Sequence, residues 1–67
     1  MIEYTNSQIA EAINEHIHSD RDRKILKSRY IDGLTYEMLS EKYDLSVKQI
    51  RNIILKSEPI LLKYLSD

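Results

Sequence analysis

Within the run Val47-Lys48-Gln49-Ile50-Arg51-Asn52-Ile53-Ile54-Leu55-Lys56 the sequence gathers the side chains best suited to reading the edges of base pairs. Lys and Arg donate to phosphate oxygens or to guanine O6 and N7, Asn and Gln pair with adenine N6 and N7, and a Val can touch a thymine methyl. At about 100° per residue, a helix with Ile50, Ile53, Ile54 and Ser57 facing inward turns Lys48, Arg51, Asn52 and Leu55 to the opposite side. Val47 and Gln49 flank that side. The candidate base readers are therefore Val47, Lys48, Gln49, Arg51 and Asn52, with double-stranded DNA as the partner. The same residue types also make an ordinary solvated helix face, so the choice depends on what positions this helix. Leu55 is the exception on the polar side. It is expected to pack under the final segment, against Ile60 and Leu61, or else to join a subunit contact.

Other residues have the chemistry to hold a phosphate backbone. Thr35 and Tyr36 open the preceding helical pattern, where a hydroxyl and free backbone N–H groups suit an anion. Lys42 and Lys56 lie at the far ends of the two patterns. Arg21, Arg23, Lys24, Lys27 and Arg29 form a basic cluster upstream, which can grip phosphates or an acidic protein surface, or simply pair with carboxylates such as Asp22.

No comparable case exists for catalysis or metal binding. His16 and His18 flank a single residue, and side chains two apart on a helix point roughly 200° away from each other, so they cannot share an ion. There is no Cys, and the single Gly leaves no phosphate-cradling loop. The sequence is expected to be neither an enzyme nor a binder of a cofactor, a metal or a small-molecule substrate.

The elements that position these residues are two short helical patterns, set back to back in Leu34–Lys56. The corner at Tyr43–Ser46 is too tight for the return of a long helical hairpin, which makes the pair a helix-turn-helix. Leu39 and Tyr43 lie one turn apart on the first helix, Leu45 plugs the corner, and Ser40 is small where the helices approach. Asp44 occupies the corner position that favours a left-handed backbone, which Asp tolerates better than most residues. Ser46 and Gln49 have the spacing of a capping box, with Leu45 and Ile50 in staple register.

Around this motif, Thr5 and Gln8 form another capping box and start a helix with an apolar stripe of Ile9, Ala12, Ile13, His16 and Ile17, ending near His18. Ser19 or Asp20 caps a second helix to about Ile31, stopped by Asp32-Gly33. Glu58 precedes Pro59, and the residue before a proline is pushed out of helical geometry. The recognition helix is thus expected to stop near Lys56 or Ser57. A separate short helix follows within 59–65, its Ile60, Leu61 and Tyr64 offered to a partner. The fold class is all-α, a four- to five-helix bundle in a single domain spanning 1–67.

A chain of 67 residues buries only about 60% of the surface it exposes when unfolded. Its net charge of −1 does not announce a polyanion binder, but the charge is segregated. Residues 3–20 carry Glu3, Glu11, Glu15 and Asp20 without a Lys or Arg, while 45–57 carry only Lys48, Arg51 and Lys56. No apolar run approaches the roughly 20 residues of a membrane span and no signal pattern opens the chain, so a cytoplasmic location without membrane contact is expected.

The run from Asp22 to Lys56 resembles region 4 of bacterial sigma-70-type factors and the small sigma-like helix-turn-helix proteins of bacteria and their phages. The resemblance is carried by Tyr30 to Gly33, Thr35, Leu39-Ser40, Leu45-Ser46 and Ile50 to Ile54. Ser40 stands where that family usually has Ala, and Asp44 where Gly is common. The resemblance implies a recognition helix entering the major groove through Val47, Lys48, Arg51 and Asn52. With no second sigma domain in the sequence, it also implies a free-standing transcriptional regulator that gains affinity from a homodimer or an RNA polymerase contact. The alternative is a protein-protein interaction module on the same scaffold, with a polymerase, sigma-factor or phage-protein partner and little DNA binding of its own.

Overall fold

Each helix starts at the cap that its sequence marks. The computed structural model describes residues 4–65, and among them α1 spans Asn6–His16, α2 Asp20–Tyr30, α3 Tyr36–Tyr43 and α4 Val47–Leu65. Thr5 Oγ1 accepts from the Gln8 N–H at 3.1 Å while Gln8 Oε1 accepts from the Thr5 N–H at 2.9 Å. Ser46 and Gln49 repeat this reciprocal pair at α4, at 3.1 and 2.9 Å. Ser19 and Thr35 cap α2 and α3 by accepting from the N–H groups of Asp22 and Met38. Each cap satisfies a donor that the first helical turn leaves without a partner.

The stops are less local. The α1 helix ends at His16, two residues before the expected His18, because Ile17 is already extended and its carbonyl accepts from Arg23 Nη1 at 2.8 Å. The α2 helix ends at Tyr30, one residue short of the expected Ile31, and the expected stop follows it: Gly33 has φ +74°, and the Leu34 N–H reaches back to the Ser28 carbonyl at 3.1 Å.

The largest departure concerns α4. No break occurs at Ser57 and no separate helix begins at Pro59; one helix runs without interruption from Val47 to Leu65 with Pro59 inside it. A proline in a helix interior costs about 3 kcal/mol. The reason it is tolerated lies on the other side of the helix. Ile50, Ile54, Ser57 and Leu61, at i, i+4, i+7 and i+11, are all buried, so a single stripe continues past the proline while Pro59 itself is exposed. Burying Leu61 contributes about 1.5–3 kcal/mol, and Leu65 and the Tyr64 ring, stacked on His16 with centroids 3.3 Å apart, add to it. These gains follow from tertiary packing, which the local rule about residues before proline does not contain.

The core is built from Ala12, Ile13 and Ile17 with Ile25 and Leu26 of α2, Leu39 of α3, and Ile50, Ile54 and Leu61 of α4. The α4 helix packs on all three others, whereas α1 and α3 do not touch. Hydroxyls tie the layers together. Tyr43 Oη donates to the Lys24 carbonyl at 3.1 Å and lies 2.7 Å from the buried Ser28 Oγ, locking the end of α3 onto α2. Tyr30 Oη donates to Glu58 Oε2 at 3.2 Å and joins the end of α2 to α4.

Burial, reinforced by the Glu58 carboxylate beside it, pushes the Tyr30 phenol up to about 12 from the usual 10. A pKa raised in the folded state means that the protonated phenol favours folding. That contribution is complete below pH 10 and fades as the pH rises towards 12. In chemical denaturation at a series of alkaline pH values, the wild-type chain is accordingly expected to lose more stability across this window than Tyr30→Phe. Parallel losses in the two proteins would refute the assignment.

Candidate nucleic-acid interface

The turn between α3 and α4 fixes where the outer face of α4 points. Asp44 adopts the left-handed conformation expected for the corner, with φ 55° and ψ 48°. The Ser40 carbonyl accepts from both the Asp44 and the Leu45 N–H groups, and the Ser40 hydroxyl donates to the Leu45 carbonyl. The sequence assigns Ser40 only a steric role. Its hydroxyl in fact closes the turn, an interaction that an alanine at this position could not make. Leu45 then packs against the core, and α4 departs with Ile50 and Ile54 turned inward.

Opposite that buried stripe, Lys48, Arg51 and Asn52 are exposed on one face. Among the described residues neither Lys48 nor Arg51 takes part in an ion pair. Both positive charges are therefore available to a ligand. Val47 is half-buried. Gln49 is exposed but its Oε1 holds the Ser46 N–H, so a bidentate contact with adenine requires that oxygen to serve the cap and the base together.

The basic residues assigned to phosphate divide into two groups. Arg23 is turned inward: besides the Ile17 carbonyl it binds Asp20, so it joins α1 to α2 and is spent on that joint. Arg29 is likewise engaged, donating to the Leu34 carbonyl at 2.9 Å with its guanidinium 4.8 Å over the Tyr36 ring. Tyr36 is correspondingly half-buried against the core. Arg21 pairs with Asp22 at 3.3 Å on the surface, a contact worth little in water.

Lys24 and Lys42 are exposed and border the same junction, because the Lys24 carbonyl accepts from Tyr43, the residue after Lys42. Lys27 is half-buried, and Lys56 is exposed to one side of the Lys48–Arg51 face. Thr35 Oγ1 accepts from the Met38 N–H at 3.2 Å, which leaves its own proton free to donate outward. The cluster read from sequence as one unit is thus part structural and part open. The inward turn of Arg23 and Arg29 leaves no trace in composition or spacing; Arg23 serves the carbonyl at the end of α1, where a donor is needed, and Arg29 a carbonyl of the loop between α2 and α3.

The arrangement of α2, the capped α3, the αL corner and α4 coincides with a family model. Residues 19–57, more than half of the chain, match sigma-70, region 4. The chain belongs to the sigma-70 region 4 family. No curated protein and no solved structure matches it. The region 4 match begins at the cap of α2 and ends at Ser57, so it contains the whole helix-turn-helix and leaves out α1 and the last turns of α4, which pack on each other. Region 4 is a DNA-binding helix-turn-helix, and its second helix here is the first half of α4. Among the described residues there is no group of three or more metal-binding side chains, and no helix is long and apolar enough to cross a membrane.

The residues assigned to a partner fare differently. Ile60 and Tyr64 are 37% and 46% exposed, but Leu61 is only 4% exposed and belongs to the core, so it is not available to a partner. Leu55, expected to be covered by Ile60 and Leu61, is 56% exposed instead. With α4 continuous, Ile60 falls about 140° around the helix from Leu55 and cannot cover it.

Proposed function

We propose that the protein is a DNA-binding transcriptional regulator that reads the major groove with the first half of α4, residues 46–56. The observation that carries this reading is the exposed polar face of Lys48, Arg51 and Asn52, whose two cations form no ion pair among the described residues, on a helix whose other side is the domain core. Arg51 and Lys48 reach guanine O6 and N7 or phosphate, Asn52 pairs with adenine, and Val47 and Gln49 sit at the entering end. Lys24, Lys42, Thr35 and, at the margin, Lys27 and Lys56 supply backbone contacts.

One copy neutralises roughly three to five phosphates, so the logarithm of its binding constant falls with log salt at a slope of about −3 to −5. Such a slope accompanies weak solitary binding. A second copy or a contact with RNA polymerase therefore completes the affinity, through exposed apolar residues such as Ile60 and Tyr64 at the end of α4.

Selection of sites from randomised duplex DNA at low salt tests the reading. Arg51→Ala is expected to weaken the selected duplex by about tenfold or more and to relax preference at one base position. Uniform weakening across sequences would place Arg51 on a phosphate; absence of any salt-sensitive binding would refute the function.

A protein-binding module is the second reading. It is favoured by a groove of about 190 Å³ walled by Tyr4, Ile9, Tyr30, Glu58, Leu62 and Leu65, with the buried Leu61 only at its floor. Capture of a partner that survives nuclease treatment and is lost on Leu62→Asp, with no DNA selected, would establish that reading in place of the first.

A further inference from the structure

We infer that Leu55 is a specificity-determining residue that packs on the C5-methyl group of a thymine at the edge of the DNA site. The inference rests on the major-groove reading above and adds one base position to it.

Lys48, Arg51, Asn52 and Leu55 stand at i, i+3, i+4 and i+7 of α4 and so share one stripe of the helix surface. Leu55 is 56% exposed, while Ile50 and Ile54 on the far side are closed to solvent. At 1.5 Å per residue the stripe from Lys48 to Leu55 spans about 10 Å. The major groove is about 12 Å wide, so all four side chains fit within it. Leu62, the next apolar residue on this side and 52% exposed, lies about 21 Å along the axis from Lys48 and falls beyond the groove.

Leucine has no donor or acceptor, which makes its selectivity simple. Thymine is the one base that presents a methyl group in the major groove. Against cytosine N4, adenine N6 or guanine O6 the same side chain would displace water from a polar group without replacing the hydrogen bond, which is unfavourable. A leucine at the end of a polar stripe therefore selects the methyl and rejects the polar edges. Val47, the other apolar candidate at this surface, is half-buried and less able to reach a base.

The test uses a duplex selected by the wild-type protein, in which each thymine is replaced singly by uracil. This change removes the methyl and leaves base pairing intact. Affinities are measured by fluorescence anisotropy for the wild type, Leu55→Ala and Leu55→Met, with circular dichroism showing that both variants keep their helices. One replacement is expected to weaken the wild type about fourfold, the effect of a buried methyl-sized group. The same replacement should leave Leu55→Ala indifferent and should still be felt by Leu55→Met.

Indifference of the wild type to every replacement, or full sensitivity retained by Leu55→Ala, would overturn the role of Leu55 while leaving the DNA reading intact. Loss of self-association in Leu55→Ala with uracil sensitivity unchanged would likewise overturn it and assign the residue to a protein contact. Failure of any duplex to bind would remove the major-groove reading and this inference together.

Discussion

Leu61→Asp is expected to leave the chain largely unfolded at 25 °C, with the helical signal in far-ultraviolet circular dichroism mostly lost. Leu61 is 4% exposed and lies in the cluster that joins α4 to the rest of the core. Truncating a buried leucine to alanine costs about 2–5 kcal/mol, and placing an unpaired carboxylate there costs more. A domain of this length has a total stability of roughly 3–10 kcal/mol, so the substitution consumes most or all of it. Ile60→Ser, one residue away at a site 37% exposed, is expected to cost about 1 kcal/mol or less, in the range of surface substitutions. A Leu61→Asp protein with a melting temperature close to wild type would place Leu61 on the surface and return it to the role of a partner contact.

That contrast between neighbours shows what the sequence carries and what it does not. Thr5 with Gln8, Ser46 with Gln49, and Asp44 at the corner are legible because caps and left-handed positions are set by residues three or four apart. The inward stripes of α1 and of the first half of α4 are legible for a related reason: a helix has one period, and Ala12 with Ile13 or Ile50 with Ile54 fit it. Together these identify the helix-turn-helix and its outward face before any tertiary contact is known.

The other features depend on what lies across a helix from the residue concerned. Arg23 and Lys24 are adjacent basic residues on α2, yet one bridges to the Ile17 carbonyl and Asp20 while the other is exposed. Only the position of the end of α1 separates them. Tyr43 counts in sequence as an apolar residue facing α4, whereas its hydroxyl reaches across to Lys24 and Ser28. Leu55 stays uncovered because 59–65 continues α4 instead of folding back over it as a separate helix. The exposed polar face of Lys48, Arg51 and Asn52 is therefore recognisable from sequence as types on a face, and which of the surrounding basic residues stay open is not, since that depends on which basic side chains the fold has already used.

Pro59→Ala should raise stability by about 2 kcal/mol, because the proline stands where nothing in the fold requires it. It lies within the 19-residue helix α4, is exposed, and lacks the N–H that would bond to the Leu55 carbonyl one turn back. Relative to alanine the interior penalty is about 3 kcal/mol. Against this, proline restricts the unfolded chain and so stabilises by about 0.4–1 kcal/mol, which the substitution forfeits. The net gain of about 2 kcal/mol corresponds to a rise in melting temperature of roughly 8–16 °C for a domain of this size. Scanning calorimetry or a thermal melt of the two proteins would measure it. A lower melting temperature for Pro59→Ala would mean that the helix is broken at Glu58–Pro59 and that 59–65 is a separate element, as the local rule alone suggests. The same substitution also tests how the first half of α4, proposed to face the groove, is held. Leu61 and Leu65 pack beyond the proline and Ile50 and Ile54 before it, so a stiffer connection would transmit the anchorage on α1 to the segment carrying Lys48, Arg51 and Asn52. DNA affinity equal to or above that of the wild type is then expected together with the higher melting temperature.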